Sequence, residues 1–197
     1  MNKILVKDLM LPLEEYAVVS EDATIEGALK ELDKAQLKLP PGRQPHRAVL
    51  VRDASGRIIG KMGHLSFLRA LEPKYSVVGD VEKLSRAGVS AEIMDMMKQN
   101  FQFWQDDFKL VCSRARTLKI RDVLKHAEHG ENEFNIDQTI DENKTITEAI
   151  HRLIMWQVLS ILVTQGEAGR KKVVGILRLS DLFDSIAAKI KTSDCAD

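Results

Sequence analysis

The chain has 197 residues, 44% hydrophobic and 29% charged, with 29 Lys and Arg against 29 Asp and Glu for a formal net charge of zero. That length suffices for a buried core without covalent staples, and the charge balance excludes a globally basic nucleic-acid binder. The two cysteines, Cys112 and Cys195, exclude a disulfide scaffold and a cysteine zinc framework, and they fit a reducing compartment.

At the N-terminus, Met1-Asn2-Lys3-Ile4-Leu5-Val6-Lys7-Asp8 is too short and too charged for a signal peptide. No apolar run approaches the ~20 residues of a membrane span. A soluble, cytoplasmic protein is expected, with neither membrane nor nucleic acid as partner. Ala17-Val18-Val19 reads as a strand before a helix opening at Thr24, where Ile25, Ala28, Leu29 and Leu32 recur at helical spacing. The proline-rich Leu39-Pro40-Pro41-Gly42-Arg43-Gln44-Pro45-His46-Arg47 is expected as a solvated loop, with Arg43, His46 and Arg47 as its candidates for meeting a phosphate. Ala48-Val49-Leu50-Val51 is β-rich, Asp53-Ala54-Ser55-Gly56 turns the chain, and Arg57-Ile58-Ile59-Gly60 returns as a second strand. A helix follows around 66–70.

Residues 73–118 are too short for a domain of their own. Ser90 is an N-cap for a helix over 91–104, and a second helix runs through 108–112. Ile93, Met94, Met97, Phe101 and Trp104 fall at steps of three and four, a stripe expected as core packing before a binding surface, with the insert lying on the duplicated core or on a partner.

Beyond the insert, three earlier blocks recur in the same order. Ile120-Arg121-Asp122-Val123-Leu124 repeats Val6-Lys7-Asp8-Leu9-Met10. Thr145-Ile146-Thr147-Glu148-Ala149-Ile150-His151-Arg152-Leu153 repeats the stretch from Thr24 to Leu32. Val173-Val174-Gly175-Ile176-Leu177-Arg178-Leu179-Ser180-Asp181-Leu182-Phe183 repeats the stretch from Ile58 to Leu68. Thr139-Ile140 is a short strand, and Thr145 with Glu148 three residues on forms a capping box. Residues 158–163 are β-rich, Gly166-Glu167-Ala168-Gly169 turns the chain into a strand over 172–177, and a helix covers 181–190. Each copy is thus strand–helix–strand–strand–helix. His126-Ala127-Glu128-His129 lacks the zinc-helix pattern and runs into Gly130, so no metal site is expected.

This duplicated unit, closing in Gly175-Ile176-Leu177-Arg178-Leu179-Ser180-Asp181-Leu182-Phe183, resembles a pair of CBS domains, named after cystathionine β-synthase, which together form a Bateman module. The resemblance covers all but the insert and the tail, with more drift in copy one. It implies an α+β fold of two βαββα repeats packed about a pseudo-two-fold axis, with a helical insert between them. The boundaries are then repeat 1 over 1–72, insert 73–118, repeat 2 over 119–191 and tail 192–197. It further implies clefts for an adenosine-containing ligand (AMP, ADP, ATP or S-adenosylmethionine) as a regulatory ligand, no required cofactor, a homodimer, and a separate regulated protein.

In the family, a Thr/Ser-x-x-Asp element after the last strand's glycine holds the nucleotide, the hydroxyl on phosphate and the aspartate on the ribose hydroxyls. Copy two has Arg178-Leu179-Ser180-Asp181, with arginine, a bidentate phosphate partner, in the hydroxyl's place. Thr139, Ile140 and Ser160 would line the same cleft with Ser180, or serve as plain core. Copy one has Gly63-His64-Leu65-Ser66 and loses both key groups, leaving one competent cleft at most. Asp181 also stands where a helix begins, the place of an N-cap, as does Ser66. No phosphate-cradling glycine loop, nucleophile–base pair or paired carboxylates point to catalysis, and no enzyme is expected. Two rivals to a nucleotide sensor stay open: a ligand-free dimerisation or interaction scaffold, and an enzyme with an unrecognised site.

Overall fold

A computed structural model describes residues 4–78, 88–127, 138–167 and 171–192. The Glu128-His129-Gly130 stretch, the Ala168-Gly169 half of the second turn, Cys195 and the tail beyond 192 lie outside the described residues, as do 79–87 of the insert. Among the described residues are seven α-helices and two small sheets, a mixed α+β fold. No helix among them is long and apolar enough to cross a membrane. The chain forms two compact units, one of Met1–Val18, Lys34–His46 and Asn135–Asp197, the other of Val19–Asp33 and Arg47–Phe134.

The first unit is built on strands β1 (Leu11–Pro12), β5 (Thr139–Asp141), β6 (Ser160–Gln165) and β7 (Lys172–Arg178), in the order β1-β7-β6-β5. β6 and β7 are antiparallel, whereas β5 lies parallel to β6 and reaches it through helix α6 (Ile146–Trp156), as a parallel pair requires a crossover. Ile146, Ala149 and Leu153 fall on one helical face and pack with Val6, Ile140, Ile161, Val163, Leu177 and Leu182 into the core. The last of these belongs to α7 (Leu179–Lys191), which follows β7 without a loop.

Strands β2 (Val18–Ser20), β3 (Ala48–Arg52) and β4 (Ile58–Gly63) make the second sheet, in chain order. β3 and β4 form a hairpin closed by Asp53, whose Oδ1 accepts from the amides of Ser55 at 2.9 Å and Arg57 at 3.0 Å. Gly56 supplies the positive φ of that turn, 82°. Helix α1 (Ile25–Leu37) buries Ile25, Ala28 and Leu32, but Leu29, counted with them by spacing, stays exposed. α2 (His64–Leu71) follows β4 directly.

The compact units do not follow the order of the repeats along the chain. In the four-stranded unit the lead-in block of copy one is seated on the helix of copy two: Ile146 N–H donates to Ile4 O at 3.0 Å and Val6 N–H to Lys144 O at 2.9 Å. In the three-stranded unit the lead-in of copy two, continuing into α5 (Ile120–Ala127), meets the helix of copy one: Ile25 N–H donates to Leu118 O at 3.1 Å and Ile120 N–H to Ala23 O at 2.9 Å. Each exchange satisfies an amide that a helix start leaves without an intrahelical partner.

Both helices are also capped by threonine: Thr24 Oγ1 accepts from Gly27 N–H at 3.1 Å, and Thr145 Oγ1 from Glu148 N–H at 3.3 Å. Only this half of the expected capping box forms, because the Glu148 carboxylate goes to Arg152 at 2.8 Å and Lys144 at 3.4 Å. Thr145→Ala should therefore cost about 1 kcal/mol in urea unfolding, and Thr145→Ser a few tenths; equal stability of all three proteins would refute the cap.

In the insert, α3 (Ala91–Phe101) starts at the expected cap, Ser90, but ends three residues short of Trp104, since Gln102 and Trp104 both have positive φ. Its stripe is not core: Ile93 and Met94 are exposed and no residue of the helix is buried. Trp104 instead donates its backbone N–H to the buried Glu72 at 2.6 Å, and Phe103 stacks on Tyr75 with centroids 4.5 Å apart. The following helix, α4 (Phe108–Thr117), is longer than expected and capped by Asp107.

Candidate functional site

The end of β7 runs straight into α7, so the last strand residue, Arg178, is itself the N-cap position, with no side-chain cap bond. The α7 first-residue amide, Leu179 N–H, is satisfied by Leu159 O at 2.9 Å. Asp181 is thus the third residue of the helix rather than its cap, and Ser66 holds the same place in α2, whose N-cap is Gly63. In both copies the strand–helix junction leaves no loop residue to serve as a side-chain cap.

Being third in α7 turns Asp181 back toward the strand end, where its carboxylate meets Arg178. Nε of the guanidinium donates to Oδ2 and Nη2 to Oδ1, both at 2.5 Å, a bidentate pair with side chains 5% and 8% exposed. The remaining arm, Nη1, donates to the carbonyls of Gln44 at 2.9 Å and Pro45 at 3.3 Å. It also lies 3.4 Å from His46 Nδ1. Gln44 Nε2 adds a hydrogen bond to Asp184 at 3.1 Å. The proline-rich loop is therefore not wholly solvated. Arg43 and Arg47 are exposed, but His46 is buried against Tyr16, ring edge to ring face at 4.4 Å.

Burial, and then the Arg178 charge, hold the His46 ring below its ordinary pKa of 6.5. The Glu15 backbone and the Asp181 and Glu15 carboxylates oppose this less strongly. Nε2 is buried and finds no partner in hydrogen-bond geometry.

Register places the other candidates. Ser160 pairs with Arg178 and Thr139 with Leu162, so Thr139, Ser160 and Arg178 share one face of the sheet. Ile140, expected to line the site with them, points the other way into the helix-side core, because neighbouring strand residues alternate faces. Arg152 donates to the Thr139 carbonyl at 2.7 Å. Ser180 is partly exposed on the first turn of α7. Nothing local in the sequence ties Tyr16, Gln44 and Pro45 to Arg178. Among the described residues, no group of three or more His, Cys, Asp or Glu could hold a metal ion.

Residues 136–188 match the CBS domain family. No curated protein matches the sequence. Among solved structures, the chain is similar to a CBS domain-containing protein of unknown function from Bacillus anthracis (18% identity, TM-score 0.57, covering 95% of this chain and 96% of that one). It is also similar to the CBS-pair protein CBSX2 from Arabidopsis thaliana (14% identity, TM-score 0.55, 96% and 97% covered). A structure of CBSX2 in complex with AMP gives 15% identity and a TM-score of 0.53, with 95% and 98% covered. Protein MJ1004 from M. jannaschii gives 16% identity and a TM-score of 0.51; 94% of this chain spans 60% of that protein's length.

Proposed function

From a chain that has the CBS-pair fold and carries a CBS domain over residues 136–188, we propose a regulatory module that binds an adenosine-containing ligand and acts on a separate protein. The observation that carries this reading is a guanidinium and a carboxylate side by side at the junction of β7 and α7, with Ser160 beside them in register. An aspartate takes vicinal ribose hydroxyls, and an arginine takes phosphate. The Asp181 oxygens keep acceptor capacity after the Arg178 fork is bound, since an ionised carboxylate offers about four lone-pair sites. That one CBS-pair neighbour, CBSX2, is known in complex with AMP supports AMP as the first ligand to try.

Calorimetry of the full chain with AMP, ADP, ATP, S-adenosylmethionine and adenosine tests this. One site per chain is expected. AMP should bind about tenfold or more tighter than adenosine, because a charge-assisted bond to phosphate contributes about 1.5–3 kcal/mol. Equal affinities would remove Arg178 from the site. No binding at millimolar concentration would favour a second reading, the ligand-free scaffold. One observation already favours that reading: each guanidinium nitrogen of Arg178 already donates to Asp181, Gln44 or Pro45. Either way, the exposed apolar residues Leu65 and Leu68 of α2 and Phe183 and Ile190 of α7 support association with a second copy. Light scattering should then return about twice the chain mass of 22.2 kDa.

A further inference from the structure

We propose that Gln44–His46 is an acid-released latch, which in its closed state holds the Arg178–Asp181 pair away from any incoming anion. The proposal deepens the reading of this site as a ligand site, and its test needs no ligand.

The latch is held at both ends. Gln44 bonds Asp184 of α7 through its side chain, while its carbonyl and that of Pro45 take Arg178 Nη1. His46 closes it, 1% exposed, between the Tyr16 ring and the guanidinium. A guanidinium only donates, so the 3.4 Å contact of Nη1 with His46 Nδ1 suits the neutral tautomer that keeps a lone pair on Nδ1 and its proton on Nε2. In that tautomer the second proton goes to Nδ1. It would set an N–H against an N–H and a cation against a cation, in a place closed to water. The facing charges are Arg178, which opposes that proton, and the Asp181 and Glu15 carboxylates with the Glu15 backbone, which favour it. Burial and Arg178 prevail, and the closed loop depresses the ring's affinity for the proton. The sign follows by linkage. The open loop binds the proton more readily than the closed one, so the closed state is full above pH 6.5 and is lost as pH falls through the lower midpoint of the closed state. Opening then frees Nη1 of Arg178 and leaves the guanidinium available to a phosphate or carboxylate.

Nuclear magnetic resonance of the labelled full chain, without nucleotide, between about pH 8 and pH 5 reads the latch. The His46 ring should titrate below 6.5. At that same midpoint the Gln44 and His46 amide signals and the Arg178 guanidinium signals should move. Amide exchange at Gln44 and His46, corrected for its intrinsic pH dependence, should rise as pH falls below 6.5. His46→Gln keeps an acceptor for Arg178 without titrating, and should abolish the pH dependence. A His46 midpoint at or above the ordinary 6.5 would overturn the proposal. So would a titration that leaves the Gln44 and Arg178 signals in place. The wild-type titration decides the matter even where the variant folds poorly. A latch that opens in acid without any gain in AMP affinity would leave it standing and count against the nucleotide reading instead.

Discussion

Replacing Asp181 by alanine should lower the stability of the four-stranded unit by about 3–5 kcal/mol, the cost of leaving a buried charge without its partner. Arg178 and Asp181 are 5% and 8% exposed, and two of the three guanidinium contact directions end on that one carboxylate. In Asp181→Ala, the Gln44 and Pro45 carbonyls would be left to carry a full positive charge cut off from water. Trp156, packed against the core of this unit, reports its unfolding by fluorescence once Trp104 is changed to phenylalanine. The control is the double variant Arg178→Leu, Asp181→Leu. It removes both charges and should recover most of the loss, since replacing a buried ion pair by apolar groups is often neutral or stabilising. A single variant within 1 kcal/mol of wild type would mean that water reaches Arg178. This result also governs how binding data are read, for weaker AMP binding by Asp181→Ala would mix lost ribose contacts with a loosened site. The comparison of AMP with adenosine on the unaltered chain avoids that confusion.

Gly175→Ala should be the second severe substitution. A β-carbon built on Gly175 would stand 2.4 Å from the carbonyl oxygen of Leu11 and 3.1 Å from the sulfur of Met10. The oxygen belongs to β1, paired with β7 as Leu11 with Ile176 and Pro12 with Gly175, so it cannot swing aside as a side chain would. Either β1 is pushed off β7, exposing Leu11, which is 1% accessible, or the strand is strained where it stands. Overpacking of this kind costs about 1–3 kcal/mol, and the backbone contact places it at the upper end. Urea unfolding measures the loss, and amide exchange at Ile176 locates it. An unchanged midpoint with unchanged exchange would show that the two strands part at no cost.

What the sequence determined by itself lies within a few residues of its cause. Thr24 and Thr145 open helices because a hydroxyl reaches the amide three residues on. Ile146, Ala149 and Leu153 find one core because their spacing sets them on one face. Asp53 and Gly56 close a hairpin through a side-chain acceptor and a positive φ. Repeating these local signals in the same order made the duplicated α+β fold legible. Tertiary structure alone decided which parts meet. The lead-in blocks Val6-Lys7-Asp8 and Ile120-Arg121-Asp122 are alike, yet each satisfies the helix of the other copy, because any free carbonyl of suitable geometry serves an open helix start. A helical stripe says only that one face is apolar, not what covers it, and so Ile93 and Met94 are exposed where core was expected. The same holds for the site. Arg178 and Asp181 stand three residues apart in one motif, but that they bind each other depends on a strand running into a helix without a loop. That His46 closes over them depends on a contact spanning 132 residues of chain, set by burial and charge and by no local rule.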